Sequence, residues 1–132
     1  ALEAAQKYMN EREQFGKKLS DFQALQFKLA DMTTELVAAR HFVRLAASKI
    51  DSEHPEATVY SAMAKRFATD VGFNVCNEAL QIFGGYGYLQ EFPLERYVRD
   101  VRVHQILEGT NEIMRMIIGR RMLMEDATQI IQ

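Results

Sequence analysis

The chain has 132 residues, of which 48% are hydrophobic and 26% charged, and its formal net charge is −2 at pH 7. These values are typical of one globular domain, here residues 1–132, and they argue against disorder and against a dedicated nucleic-acid binder. The sequence has no run of about 18 uncharged apolar residues, so we predict no membrane-spanning helix. The single cysteine, Cys76, cannot form an internal disulfide, which fits a reducing compartment.

The first half of the chain predicts two helices. Residues 1–13 already begin with the composition of a helix interior, so we expect a piece of a longer polypeptide, and Gly16 is expected to end this segment. Ser20 or Asp21 can then cap a second helix that runs to about Ser52 without Gly or Pro. The apolar residues of the second helix form a near-heptad seam, typical of long antiparallel bundles: Leu25, Leu29, Met32, Leu36, Ala39, Val43, Ala46 and Ile50.

The second half predicts a third long helix, a glycine-rich loop and further helical segments. The third helix starts near Pro55 and stops at Gly84-Gly85, followed by a loop over 84–93 and a short helical piece over 94–104. A last helix follows Gly109-Thr110-Asn111, with Ile113, Met116, Ile117, Met122 and Leu123 expected to be buried. We predict no strands and a frayed tail past Glu125. The predicted fold is an all-α, up-and-down four-helix bundle.

Two clusters fit binding of a phosphorylated ligand, and each also has a structural explanation. Arg12, near Phe15, Gly16 and Gln23, could donate paired hydrogen bonds to a phosphate, or it could be a surface arginine beside a core phenylalanine. The adjacent glycines of Gly84-Gly85 permit close approach of a ligand to the backbone, or they simply stop a helix.

A third cluster, Leu107-Glu108-Gly109-Thr110-Asn111-Glu112, contains a carboxylate just before a helix start. Glu108 could act as a general base, and the following N–H groups could hold a cofactor oxygen. The alternative is helix capping, in which the acids stabilise the helix dipole. Six arginines between 96 and 121 could meet an anionic ligand or pair with nearby acids, and the histidines lack metal-ligand spacing.

Taken together and in this order, the motifs resemble the C-terminal domain of the flavin-dependent acyl-CoA dehydrogenases. The resemblance rests on YMNEREQFGKKLSDFQ (8–23), LADM (29–32), QIFGGYGY (81–88), RYVRDVRVHQILEGTNEIMR (96–115) and IGRR (118–121). It covers nearly all of the chain and favours the functional interpretation of all three clusters. The N-terminal helical domain and middle β-domain of such enzymes do not fit in 132 residues. We therefore expect the isolated chain to be inactive, to bind FAD weakly and to self-associate.

The resemblance implies a chemical role for Glu108 and its neighbours. Glu108 matches the base that removes the α-proton of an acyl-CoA thioester, and its backbone N–H would polarise the thioester carbonyl. The β-hydrogen then leaves as hydride to FAD, which gives a trans-2-enoyl-CoA. Leu107 and Gly109 flank the base at the substrate, and Arg120 resembles a position near the CoA moiety.

The resemblance also implies FAD contacts. Three residues match contacts to the FAD of a neighbouring subunit, namely Arg12, Phe15 and Gln23. The loop along the adenosine-pyrophosphate part of that FAD is matched by Gln81, Ile82, Phe83, Gly84 and Gly85. Contacts to the FAD of the same subunit are matched by Thr110, Asn111 and Glu112. Such enzymes form homotetramers and pass electrons to electron-transfer flavoprotein, in the cytoplasm of bacteria or in the mitochondrial matrix.

One departure from the family pattern bears on the substrate. Straight-chain members commonly have Tyr before the catalytic Glu, whereas this chain has Leu107, and HQILEGTNEIMR resembles isobutyryl-CoA dehydrogenases. We therefore expect a short branched acyl chain. The alternative from another class is a non-catalytic helical oligomerisation or interaction module, which has no use for Glu108 beside Gly109. Relatives that act on oxygen or nitro compounds often carry another residue at the base position, so Glu108 argues against them.

Overall fold

The computed structural model describes residues 1–124 and 127, and this part of the chain is almost entirely helical. The prediction of an all-α bundle is thereby confirmed. In chain order the elements are α1 (Leu2–Glu11), β1 (Glu13–Gln14), β2 (Lys17–Lys18), α2 (Gln23–Asp51), α3 (Ala57–Phe83), α4 (Leu94–Arg102) and α5 (Asn111–Met122). Short 3-10 segments lie at Leu19–Asp21, Gly84–Tyr88 and Val103–Gln105. Apart from residue 127, the predicted fraying past Glu125 lies outside the described residues.

The central helix is α3, which packs against the four other α-helices of the described chain. Its contacts with α2 are antiparallel: Lys28 pairs with Glu78, whereas the Phe42 ring, later in α2, lies 6.0 Å from the ring of Phe67, earlier in α3. The turn between the two helices contains Pro55, close to the predicted position. These two helices, each longer than 25 residues, form the frame on which the shorter elements lie.

The last helix, α5, also runs antiparallel to α3. Near the C-terminal end of α5, Arg121 pairs with Glu56, and at its N-terminal end Asn111 donates to Asp70 Oδ1 at 2.7 Å. The 3-10 segment before α5 is tied to the same carboxylate, because Gln105 donates to Asp70 Oδ1 at 2.8 Å. The middle of α3 therefore positions the segment that precedes α5.

The hydrophobic core lies between α1, α2, the second half of α3 and the start of α4. Tyr8 and Phe83 stack with ring centroids 4.1 Å apart, and Met9 and Leu94 are the largest side chains that are fully buried. Other members of the core cluster are Ala5, Met32, Ala39, Val71, Val75, Ala79 and Ile82. This cluster lies at the end of the bundle that carries the glycine-rich loop, so packing fixes that loop firmly.

The predicted seam of α2 is buried at only part of its length. Met32, Ala39 and Ala46, spaced seven residues apart, are buried, whereas Val43 is 47% and Ile50 57% exposed. The seam is thus only partly covered, because α2 packs along one narrow side within the described chain. Further apolar side chains of α2 are exposed, namely Phe27, Val37 and Leu45. Clustered apolar exposure of this kind is typical of surfaces that meet further protein.

Two predictions for residues 13–23 are corrected. Strands were not expected, yet β1 and β2 pair as an antiparallel hairpin whose turn residues, Phe15 and Gly16, have φ values of 56° and 77°. Such left-handed turn residues match the twist of a two-residue hairpin. The predicted cap of α2 is also wrong, because Phe22 occupies the N-cap without a side-chain bond. Asp21 instead accepts from the backbone N–H of Lys18 at 3.1 Å.

The predicted burial of α5 is largely wrong. Ile113, Met116 and Met122 are 37–42% exposed, and Leu123 is 88% exposed. The half-buried side chains of α5, such as Met114 and Ile117, lie on one side of the helix beside α3, and polar pairs such as Asn111 with Asp70 add to this contact. The residue of α5 that is buried is Asn111, which is 3% exposed.

Two further predictions concern membrane-spanning helices and metal sites. Within residues 1–124, no helix combines the length and the apolar composition that a bilayer-spanning segment needs. The same part of the chain contains no group of three His, Cys, Asp or Glu side chains arranged to hold a metal ion.

Replacement of Leu94 by Ala tests the core. We expect the free energy of unfolding to fall by about 2–5 kcal/mol, because the truncation leaves a cavity beside α3. Urea denaturation followed by circular dichroism measures this difference. Leu123→Ala is the matched control and should change the same quantity by less than about 0.5 kcal/mol, since its side chain is largely exposed. Equal effects of the two substitutions would contradict the assignment of Leu94 to the core.

Candidate functional site

The candidate base, Glu108, lies in a tight turn between the 3-10 segment Val103–Gln105 and α5. Glu108 has φ 54° and Gly109 has φ 88°, so two consecutive residues adopt the left-handed conformation. For a glutamate this conformation costs about 1–2 kcal/mol relative to the right-handed one. Such strain persists where the surrounding structure imposes it, and it is frequent at functional sites.

The side chain of Glu108 is exposed, and no residue in the described part of the chain forms a hydrogen bond or ion pair with it. Helix capping is performed by other residues. The Thr110 hydroxyl accepts from the backbone N–H of Ile113 at 3.3 Å, and Glu112 is the acid of the first turn of α5. The capping interpretation therefore explains Thr110 and Glu112 but leaves Glu108 without a structural role.

A buried polar network fixes the start of α5 against α3. The Asn111 Oδ1 atom accepts from Lys65 Nζ at 2.7 Å, and its Nδ2 donates to Thr69 Oγ1 at 2.9 Å and to Asp70 Oδ1 at 2.7 Å. Lys65 Nζ also donates to the Gly109 carbonyl at 2.7 Å. The prediction that Asn111 contacts FAD stays a prediction, but its side-chain amide is fully used within the domain.

Sequence reasoning missed this network. Lys65, Thr69 and Asp70 lie at i, i+4 and i+5 on α3, so they share one side of a helix that is otherwise rich in apolar residues. Three polar residues on one side of such a helix are the signal that could have indicated it. Their partners are more than 40 residues away in the sequence, so the spacing alone could not identify them.

A second part of the candidate site is a groove of 530 Å³ at the other end of α3. Its lining residues come from α1, the hairpin and the glycine-rich loop, and they are Tyr8, Arg12, Gln14, Leu19, Ile82, Phe83, Gly84, Gly85, Tyr86 and Leu89. The fold thus brings the predicted cluster around Arg12 together with the predicted cluster at Gly84-Gly85, which are about 70 residues apart in the sequence.

Charge and backbone conformation give this groove its chemistry. The Arg12 guanidinium lies 5.3 Å from the centroid of the Tyr86 ring, and within the described residues no carboxylate is within ion-pair distance of it. Gly84 has φ 59° and ψ −138°, a conformation available mainly to glycine. A Cβ at Gly84 or Gly85 would meet no atom within 4 Å, so both backbones border open space. The groove therefore presents to a ligand the positive charge of Arg12, the aromatic face of Tyr86 and the backbone of two glycines that no side chain covers.

The structure does not bring all predicted site residues together. Phe15 is 92% exposed at the tip of the hairpin, so its alternative interpretation as a core residue is wrong. Gln23 and Gln81 are exposed and do not line the groove, whereas the side chains of Ile82 and Phe83 are largely buried.

Near Glu108, Leu107 is 47% exposed, so its side chain is available to a ligand. A Cβ at Gly109 would lie 2.6 Å from the terminal methyl of Met114, and the left-handed φ of Gly109 adds a further restriction on this position. Arg120 is exposed in the last turn of α5, roughly 14 Å along the helix from Asn111.

Electrostatic interactions near the turn favour the charged form of Glu112. The pKa of Glu112 is lowered, first by the hydrogen bond from its own backbone N–H and then by the Thr110 hydroxyl, with Arg115 adding a smaller attraction. Arg115 lies 3.6 Å from this carboxylate and 3.3 Å from that of Asp70. Glu112 is thus held in its charged form at the start of α5, where the helix dipole also favours a negative charge.

The described fold and site agree with one protein family. The family described as acyl-CoA dehydrogenase, C-terminal domain, matches residues 1–123. The chain therefore belongs to the acyl-CoA dehydrogenase family and corresponds to its C-terminal domain, as the motifs predict.

Individual relatives agree with this assignment. The mitochondrial isobutyryl-CoA dehydrogenase of Bos taurus is 54% identical over 121 residues, which are 92% of this chain and 29% of that protein. The structure of butyryl-CoA dehydrogenase from Megasphaera elsdenii matches with a TM-score of 0.90 and 48% identity, over 93% of this chain and 32% of that one. A chain in the structure of the electron transferring flavoprotein of Acidaminococcus fermentans matches with a TM-score of 0.90 and 50% identity. The match covers 94% of this chain and 32% of that one. The chain spans less than a third of the length of these relatives.

The lowered pKa of Glu112 gives a prediction on pH dependence. Because the pKa in the folded state is below that in the unfolded state, the Glu112 carboxylate stabilises the fold at pH values above its unfolded pKa. This contribution is lost as the pH falls through the folded pKa. A ¹³C NMR titration should place Glu112 below an ordinary glutamate, and Thr110→Val should raise its pKa by removing one donor. A pKa of Glu112 at or above the ordinary value would contradict the assignment.

Proposed function

We propose that this chain is the part of an FAD-dependent acyl-CoA dehydrogenase that carries the catalytic base, Glu108. The whole enzyme converts a short, branched acyl-CoA to the trans-2-enoyl-CoA. The proposal rests on one observation above all: Glu108 is held in a left-handed turn, exposed, and without a partner among the described residues. Family membership and the 54% identity to an isobutyryl-CoA dehydrogenase support it.

In this proposal Glu108 removes the α-proton of the acyl thioester. A carboxylate can accept a proton only if its oxygens are not already used by donors, and those of Glu108 are free within the described chain. The backbone N–H of Glu108 donates to the thioester carbonyl, which makes the α-carbon more acidic.

The groove around Arg12 fits the pyrophosphate and adenosine part of FAD. The guanidinium can donate paired hydrogen bonds to phosphate oxygens, and the bare backbone of Gly84 and Gly85 permits close approach. Tyr86 adds an aromatic face. When bound, FAD supplies the two-electron acceptor for the β-hydrogen. The residues of this chain that hold it in the proposal are Arg12, Phe15, Gln23, Gln81, Ile82, Phe83, Gly84, Gly85, Thr110, Asn111 and Glu112.

The positions of the two parts of the site favour an oligomer. Lys65, beside the Glu108 turn, and Phe83, beside the groove, are roughly 27 Å apart along α3. This separation supports two different FAD molecules, one bound within the same subunit and one in a neighbouring subunit. We therefore propose a homotetramer, in which the exposed apolar residues of α2 meet other parts of the enzyme.

Electron-transfer flavoprotein is the proposed electron acceptor of the whole enzyme. A similar chain occurs in the structure of the electron transferring flavoprotein of Acidaminococcus fermentans, which supports this partner. The proposed location is the mitochondrial matrix in a eukaryote or the cytoplasm in a bacterium. A second candidate, a non-catalytic interaction module, is favoured only by the exposed apolar residues of α2, such as Phe27.

Replacement of Glu108 by Gln in a full-length enzyme carrying this chain tests the proposed base. We expect turnover to fall by at least about 10²–10⁴-fold with FAD still bound, because the amide keeps the shape of the carboxylate but cannot accept the proton. Steady-state turnover and the flavin absorbance measure the two quantities.

Glu53→Gln is the matched control for this experiment. Glu53 is also an exposed glutamate in the left-handed conformation, with φ 51°, but it lies in the turn after α2 and ends that helix. Its replacement should leave turnover unchanged. Normal turnover of the Glu108 variant would favour the interaction module instead.

The proposed substrate class is tested by comparing two thioesters and by replacing Leu107 with Tyr. The enzyme should prefer isobutyryl-CoA to butyryl-CoA, and Leu107→Tyr should shift this preference toward butyryl-CoA by about 10–200-fold, the range that a change of pocket shape produces. The ratio of kcat/KM for the two thioesters measures the preference. A clear preference of the unmodified enzyme for butyryl-CoA would contradict the branched-chain proposal but leave the role of Glu108 intact.

A further inference from the structure

We propose that Lys65 is a positioning residue for the base: its ammonium group fixes the Gly109 carbonyl and thereby the orientation of the Glu108-Gly109 turn. This inference rests on the proposed function of Glu108. The proposed role is to position the base rather than to contact the substrate, and it rests on two bonds from Lys65 to protein oxygens.

The contacts of Lys65 connect a rigid helix to the turn. Its Nζ atom donates to the Gly109 carbonyl and to Asn111 Oδ1, both at 2.7 Å, and its side chain is partly buried. Hydrogen bonds from a charged donor are shorter and stronger than those between neutral groups. One side chain of α3 thus holds both the residue after the base and the first residue of α5.

The backbone of the Glu108-Gly109 turn is fixed on both sides, but Gly109 itself is held by the hydrogen bond from Lys65. Before Glu108, the backbone is fixed because the N–H groups of Ile106 and Leu107 both donate to the Val103 carbonyl at 2.9 Å. After it, Asn111 is buried against α3. Between these two fixed points lies Gly109, which has no Cβ to restrict its rotation. The bond from Lys65 to its carbonyl therefore decides how the peptide units on either side of Gly109 are oriented.

The positive charge of Lys65 is unusual for a purely structural bond. The start of α5 is the positive end of its helix dipole, where a cation is unfavourable. In the described chain, no carboxylate lies within ion-pair distance of Lys65 Nζ, although the neighbouring Arg66 and Arg115 both pair with Asp70. A neutral donor could hold the same two oxygens without this electrostatic penalty. The charge is therefore better explained by the demand for a strong, well-oriented bond at Gly109.

The test uses a full-length enzyme that carries this chain as its C-terminal domain. Lys65→Met keeps an unbranched side chain that is one atom shorter, and it removes every donor. We expect the rate of flavin reduction at saturating isobutyryl-CoA to fall by about 10–100-fold, because a small misplacement of the base slows proton transfer. The isotope effect from α-deuterated substrate should rise, while KM and FAD content change little.

Lys28→Met is the matched control. Lys28 is also a partly buried lysine that joins two helices, through its pair with Glu78, but it lies outside the turn. Its loss should lower thermal stability and leave both the rate of flavin reduction and the isotope effect unchanged. If Lys65→Met does not fold, Lys65→Leu, which also lacks a donor, replaces it and is judged by the same two measurements.

Each result supports or overturns the inference. A slower flavin reduction with a larger isotope effect supports it. A normal rate, or a loss that matches only the loss of folded protein or FAD with an unchanged isotope effect, overturns it. The Glu108→Gln variant separates the two proposals: if that variant is inactive and the Lys65 variant is normal, only the role of Lys65 fails, whereas an active Glu108→Gln variant removes both.

Discussion

The buried side chain of Asn111 is the contact on which the candidate active site depends. A buried amide is tolerated only when its oxygen and nitrogen both find partners, and Asn111 finds them on α3, in Lys65, Thr69 and Asp70. Because the chain between α4 and α5 is short, fixing the first residue of α5 also fixes the turn before it. The strained conformation of Glu108 can persist because this network and the packing of α3 hold both of its ends.

The ion pairs show which charges join elements of the bundle and which of the candidate site residues remain unpaired. Lys28 pairs with Glu78 between α2 and α3, and Arg121 pairs with Glu56 between α5 and the start of α3, so these charges join elements of the bundle. Within the described residues, Arg12 and Glu108 have no such partner. Arg12 is a cation in the groove at the C-terminal end of α3, and Glu108 is an anion on a turn beside the middle of that helix. Both charges are available for a ligand.

Much of the fold follows from local sequence patterns. The long apolar repeats predict α2 and α3, and Gly84 marks the end of α3 because glycine adopts its backbone conformation without strain. The same patterns were wrong where tertiary packing decides: periodicity predicted that Ile113, Met116 and Met122 of α5 are buried, but all three are exposed and the buried residue of this helix is Asn111. The hairpin was missed because its strands have only two residues each, too few for a periodic signal.

The sequence by itself determined the family, the position of the candidate base and the glycine at which a ligand can approach, because these depend on residue identity at fixed spacing. Only the tertiary structure decided which residues surround them. It placed Arg12 beside Gly84, left Glu108 without a partner and brought Lys65 to the Gly109 carbonyl. Contacts between residues more than 40 positions apart depend on how the helices pack, so a local pattern of polar residues can indicate that partners exist but cannot identify them.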